Sequence, residues 1–140
     1  MLSLMFSLCI AGQPCKEVRI ADFFTDLSTT MCETNKISMS RSMSELPKNA
    51  TTTSKFECRE LKGPIAAQGP VVEFNFDVTS DGIVEKMGLA KFYGNVGNPM
   101  CEQNRKYYLD LLMDSARQEN STGTLYCADK GMPTKTADVK

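Results

Sequence analysis

The sequence predicts an α+β domain, an antiparallel sheet of four or five strands with two helices packed on one face and disulfides tying helix to strand. Three observations lead there. Pro70–Gly82 alternates Val72, Phe74, Phe76 and Val78 with Glu73, Asn75 and Asp77, the period of a strand with one buried face. Pro99–Gln118 has the apolar spacing of an amphipathic helix. Six cysteines stand at 9, 15, 32, 58, 101 and 127 with no C-x-x-C among them, which favours disulfides over zinc and an oxidising compartment over the cytosol.

Residues 1–12, MLSLMFSLCIAG, are apolar and uncharged. They read as the hydrophobic region of a secretory signal peptide cut near Ala11 or Gly12, too short to span a membrane. The rival reading is a buried N-terminal helix or strand of a chain that stays whole. Cleavage leaves five cysteines and one unpaired thiol, and Cys15 is the expected odd one out, a site for homodimerisation by an intermolecular bridge. The expected pairs are Cys32–Cys58 and Cys101–Cys127, each closing about 25 residues and worth about 3 kcal/mol by chain entropy.

From Lys16 to Glu33, Ile20, Phe23, Phe24, Leu27 and Met31 recur at helical spacing, with Arg19, Asp22 and Asp26 on the other side. A helix is expected there, with a strand through Val18–Phe24 and a turn at Ser28–Thr30 as its rival. Ile37, Met39, Arg41 and Met43 alternate with serines and predict a strand. Glu45–Ser54 is a polar loop containing Pro47. Lys55–Leu61 is a short strand, and Lys62–Pro70 connects it to the central hairpin of Val71–Val78 and Ile83–Tyr93 across the turn Thr79–Gly82.

Asn98 at the cap and Pro99 at the first helical position open the second helix. Cys101, Tyr108, Leu111, Leu112 and Ser115 share its inner face, and Lys106, Asp110, Asp114 and Arg117 its outer one. Thr124–Ala128 is a last strand, and no internal repeat is evident. The domain organisation expected is a signal remnant over 1–12, a single compact domain over 13–130 and a flexible tail over 131–140.

Composition narrows function. The net charge is −1 with both signs scattered, which argues against a nucleic-acid partner. Histidine is absent, so no Ser-His-Asp or Cys-His constellation and no imidazole ligand is available. No phosphate or dinucleotide motif is present, and no catalytic residue, cofactor site or metal site is assigned. Asp77–Gly82 matches the start of an EF-hand loop except at Thr79, but the twelfth position is Gly88 instead of Glu. Asp110 and Asp114 are a pair of the kind exposed helices carry routinely. Asn49-Ala50-Thr51 and Asn120-Ser121-Thr122 are glycosylation sequons.

Cys58-Arg-Glu-Leu-Lys-Gly63, the strands after it, Cys101 and a final strand ending at Cys127 resemble the order of elements in secreted MD-2-related lipid-recognition domains. That resemblance covers the second half of the chain and implies a β-sandwich that holds a lipid between sheets. The Cys15–Cys58 segment is longer than that pattern allows, and Cys101–Cys127 is shorter and more helical.

The reading favoured by the residues is a secreted protein, extracellular or periplasmic, that is not an enzyme and binds another macromolecule, most simply a protein, as an inhibitor, immunity protein or effector does. The alternative is a carrier of a lipid or other apolar ligand, with Phe23, Phe24, Phe74 and Phe76 lining a cavity between sheet and helices, and nine methionines to make it adaptable.

Overall fold

The computed structural model describes residues 1–44, 52–61 and 69–131. The Asn49 sequon, most of the Glu45–Ser54 loop, the Gly63-Pro64 break and all but the first residue of the 131–140 tail lie outside the described residues. Where one domain over 13–130 was expected, the chain divides into two compact units, Met1–Gln68 and Gly69–Lys140.

The first unit runs β1 (Leu2–Ile10), β2 (Lys16–Phe23), α1 (Ser28–Ser44) and β3 (Thr52–Arg59). Its strands lie in the order β3-β1-β2, all antiparallel. The second runs β4 (Val71–Ser80), β5 (Ile83–Tyr93), α2 (Gly97–Gln118) and β6 (Thr122–Gly131), with β4 between β5 and β6. Each unit is therefore a hairpin, a helix and a returning strand, and in each the first strand is central. The α+β class and the disulfides agree with the sequence, but there are six strands instead of four or five.

Residues 2–10, expected to be a signal sequence, form β1 and pair along both edges. The helix expected over Lys16–Glu33 is instead β2 followed by a turn and the start of α1, the rival reading. Its apolar series is split accordingly: Ile20 and Phe23 are buried in β2, Met31 is buried in α1, and Phe24 is exposed. Pairing with β1, Leu2 opposite Phe23 and Leu4 opposite Ala21, outweighs the local helical period. The strand expected over Ile37–Met43 is helical, and Ile37 is exposed. Serine-rich α1 has little intrinsic helix propensity. Its hold is tertiary: Met31, Cys32 and Asn35 are buried and Cys32 is bonded to Cys58 on β3, while within the helix the buried Asn35 amide is satisfied by the Met31 carbonyl at 2.7 Å.

The central hairpin forms with a two-residue turn, Asp81 at φ 51° and Gly82 at φ 78°. Positive φ at both positions matches the twist of the flanking strands. α2 begins at Gly97, earlier than expected, and Val96 occupies the cap position without a side-chain cap bond. Asn98 lies inside the first turn, its amide donating to Asp129 at 3.3 Å. The buried stripe is Met100, Cys101, Asn104, Tyr108, Leu112 and Ala116. Leu111, expected inside, is exposed.

The structure also reveals the repeat that the sequence conceals. Cys101 follows Cys32 by 69 positions (101 − 32), and Cys127 follows Cys58 by 69 (127 − 58); both pairs join helix to last strand. At the same offset Met31-Cys32-Glu33-Thr34-Asn35-Lys36 corresponds in sequence to Met100-Cys101-Glu102-Gln103-Asn104-Arg105. Asn104 donates to the Met100 carbonyl at 2.7 Å, as Asn35 does to Met31, and Lys36–Glu33 recurs as Arg105–Glu102. The register break between Leu4 and Met5 recurs between Phe74 and Asn75, with Ile20 and Leu89 as the skipped residues. What repeats is the helix-to-strand disulfide, the buried helix face beside it and the strand bulge, and the remaining positions share little.

Candidate interaction surface

With the interiors built alike, the differences lie at the hairpin ends. In the second unit Ile83 and Val84, the first two residues of β5, are 72% and 61% exposed. Adjacent residues of a strand point to opposite faces, so one apolar side chain lies on each side of the ribbon. Asp81 in the turn and Glu85 on the strand flank them in sequence, and further along the ribbon Asp77 pairs in register with Lys86. The EF-hand-like segment is this hairpin turn. Among the described residues no three His, Cys, Asp or Glu side chains converge on a metal position.

In the first unit the corresponding end is closed by a bond between Cys9 and Cys15. Cys15 is thus not an odd thiol, and all six cysteines are paired, which leaves no free thiol of the kind an intermolecular bridge needs. The remaining bonds join Cys32 to Cys58 and Cys101 to Cys127. Beside the Cys9–Cys15 bridge is an open depression of about 630 Å³ lined by Ser7, Cys9, Cys15, Glu17, Thr53, Ser54 and Lys55.

The sheet faces turned away from the helices also differ. In the first unit Arg19 lies on Asp22 with bonds of 2.9 and 2.7 Å, and Ser3 donates to the same carboxylate at 2.7 Å. Arg59 meets Glu17 at 2.7 Å, and Ser7 donates to Glu17 at 3.3 Å. These charges neutralise one another locally. In the second unit, Gly88 and Ala128 stand where the first has Arg19 and Arg59, and Tyr126 donates to Asp77 at 3.2 Å. The Tyr126 hydroxyl is held above its ordinary pKa, first by desolvation and then by the neighbouring Asp77 carboxylate.

Of the four phenylalanines considered for an apolar site, Phe23 is in the core of the first unit and Phe74 and Phe76 are in that of the second, with the Phe74 and Phe92 rings 6.4 Å apart. Phe24 is partly exposed on the first unit. Unit two is one sheet and one helix, so the two-sheet sandwich implied by the lipid-domain resemblance does not describe it. Asp110 and Asp114 are exposed on α2, with Asp114 paired to Arg117 at 2.7 Å. Asn120 is exposed in the turn after α2, at φ 56°.

The exposed pair Ile83-Val84 was not singled out from the sequence. Its signal is there: two adjacent β-branched residues directly after a turn cannot both face a one-sided core. Among the described residues no helix is long and apolar enough to cross a membrane. Comparison with protein families, curated proteins and solved structures gives no match.

Proposed function

We propose that the chain is a secreted, non-enzymatic protein that binds another macromolecule, a protein, through the exposed end of the β4–β5 hairpin, in the manner of an inhibitor, immunity protein or effector. The carrying observation is the exposure of Ile83 and Val84 on a hydrogen-bonded hairpin. An ordered apolar pair gains on docking without the entropy cost of ordering a loop. Three disulfides accord with an oxidising compartment, and the exposed Asn120 is an acceptor for glycan in a eukaryotic secretory route. The test is the double substitution Ile83→Thr with Val84→Thr, which keeps β-branching and removes apolar surface. Affinity for the partner isolated from the native fluid should fall by about tenfold or more, as expected for a central apolar contact, with thermal stability unchanged. Unchanged affinity would move the contact elsewhere.

A second reading, a carrier of a lipid or other apolar ligand, has its own observation. Val18 on β2 and Met87 on β5 occupy equivalent, helix-side positions of their units, and both are uncovered. Native mass spectrometry of protein purified from its source separates the readings, since a carrier retains a bound lipid and a binder does not.

A further inference from the structure

The Cys9–Cys15 bridge differs from the other two in accessibility, span and structural need. Cys15 is exposed and Cys9 half-buried, whereas Cys32 and Cys101 are fully buried. It spans six positions where each of the others spans 26, so it restricts the unfolded chain least. The matching hairpin end of the second unit has Thr79 and Val84 at these places and holds its strand pairing without a bridge. A bond that is reachable, closes a short loop and is dispensable to the hairpin's geometry can be opened without dismantling the unit. Both its cysteines line the depression, beside Lys55 and Glu17.

We propose that Cys9–Cys15 is a thiol–disulfide exchange site for a small zwitterionic peptide thiol of the glutathione class. The depression has the volume of a small-molecule site. Lys55, its ammonium 3.9 Å from the Glu57 carboxylate, lines the depression and supplies the positive charge for a peptide carboxylate and the incoming thiolate; Glu17, held by Arg59 at 2.7 Å and lining the same depression, supplies the negative charge for the peptide ammonium. The peptide thiolate attacks Cys15 Sγ, the Cys9–Cys15 bond breaks as the peptide–Cys15 bond forms, and Cys9 leaves as a thiolate that takes a proton from water. A second peptide thiolate attacking the peptide sulfur of the mixed disulfide releases Cys15 and one molecule of oxidised peptide, so two peptide thiols are oxidised as one protein disulfide is reduced.

The test incubates the full chain with graded mixtures of reduced and oxidised glutathione, quenches with acid and maps thiols and adducts by mass spectrometry. The expected result is one adduct, on the exposed Cys15, at ratios that leave Cys32–Cys58 and Cys101–Cys127 oxidised. Lys55→Glu should slow adduct formation by roughly three- to tenfold for glutathione and much less for uncharged 2-mercaptoethanol. The double variant Cys9→Ser with Cys15→Ser should form no adduct and keep the circular dichroism of the parent. Adducts spread over all three bridges, or a Cys9–Cys15 bond that outlasts the buried ones, would overturn the exchange site. Equal slowing with both thiols would overturn recognition of the zwitterion.

Discussion

The two units are one construction carried out twice, and the contrast between them separates what the fold requires from what it merely permits. Both keep a buried Met-Cys on the inner face of the helix, an Asn returning a hydrogen bond to the previous turn, an aromatic at the end of the second strand and a disulfide from helix to last strand. Those positions hold a helix of modest propensity onto a three-stranded sheet. The hairpin ends and outer sheet faces share almost nothing. One end is stapled by Cys9–Cys15, with Ile10 beside the bridge 38% exposed, and the other is unstapled, with Ile83 and Val84 72% and 61% exposed; one outer face is closed by arginine–carboxylate pairs, and the other has a tyrosine over an aspartate. The divergent parts are those that the scaffold leaves free, and both proposals above fall on them.

The largest expected effect comes from removing the first strand of one unit. Deleting residues 1–12 takes away the strand that pairs with both β2 and β3, the buried Leu4 and Met5, and one partner of the Cys9–Cys15 bridge. The first unit should lose hydrogen-exchange protection throughout, while β4, β5, α2 and β6 keep theirs. Protection surviving in α1 and β3 of the shortened chain would show that β1 is not the unit's organising strand. Intact mass of the chain from its native source reports directly whether residues 1–12 remain.

A smaller effect tests how differently the two cores are filled. An added Cβ at Gly123 would lie 2.5 Å from ring atoms of Phe76. Ser54 holds the equivalent place in the first unit, opposite Leu8 as Gly123 is opposite Val78. There the rings of Phe6 and Phe56 meet tilted at 40°, with centroids 4.8 Å apart, and the Ser54 side chain is exposed. In the second unit Leu125 stands for Phe56, and the ring of Phe76 turns over the glycine. Gly123→Ala should cost about 1–3 kcal/mol from overpacking, and Ser54→Ala about 0.5 kcal/mol or less, both measured by denaturant unfolding. Equal costs would mean that the Phe76 ring moves aside freely.

Legibility in the sequence followed the same division. The β4–β5 hairpin could be read because alternation, a turn with Gly82 and a one-sided core coincide in one stretch, and α2 could be read because its buried stripe is long. The first unit departs from the expected elements at two places. β2 and the start of α1 together mimic one helix, and α1 carries serines at alternate positions that mimic a strand; β1 is apolar on nearly every residue, a composition that a signal sequence and a central strand share. In each case the deciding interaction is non-local, β1 lying between β2 and β3 or Cys32 reaching Cys58, and a local period carries no information about it. The repeat escaped notice because it survives mainly in Met-Cys-Glu-x-Asn and in the cysteine offset. The exposed Ile83 and Val84 were legible only as a broken alternation.

The smallest expected effect concerns the outer faces. Tyr126 stands where the first unit has Glu57 and is held above its ordinary value of 10.0 by desolvation and by Asp77. A raised pKa means that the folded chain prefers the neutral phenol. The stability this contributes is therefore complete below pH 10 and disappears as pH climbs through the folded value, because the unfolded chain ionises first. Tyr126 is only half-buried, so the change in stability should be slight and the spectroscopic signal the better readout. The tyrosinate absorbance lost on Tyr126→Phe should have its midpoint above pH 10, and Asp77→Asn should bring that midpoint down by removing the adjacent negative charge. A midpoint insensitive to Asp77→Asn would leave desolvation and the Glu73 charge as the causes, and the Tyr126–Asp77 bond would then have no more influence on this face than any exposed polar contact.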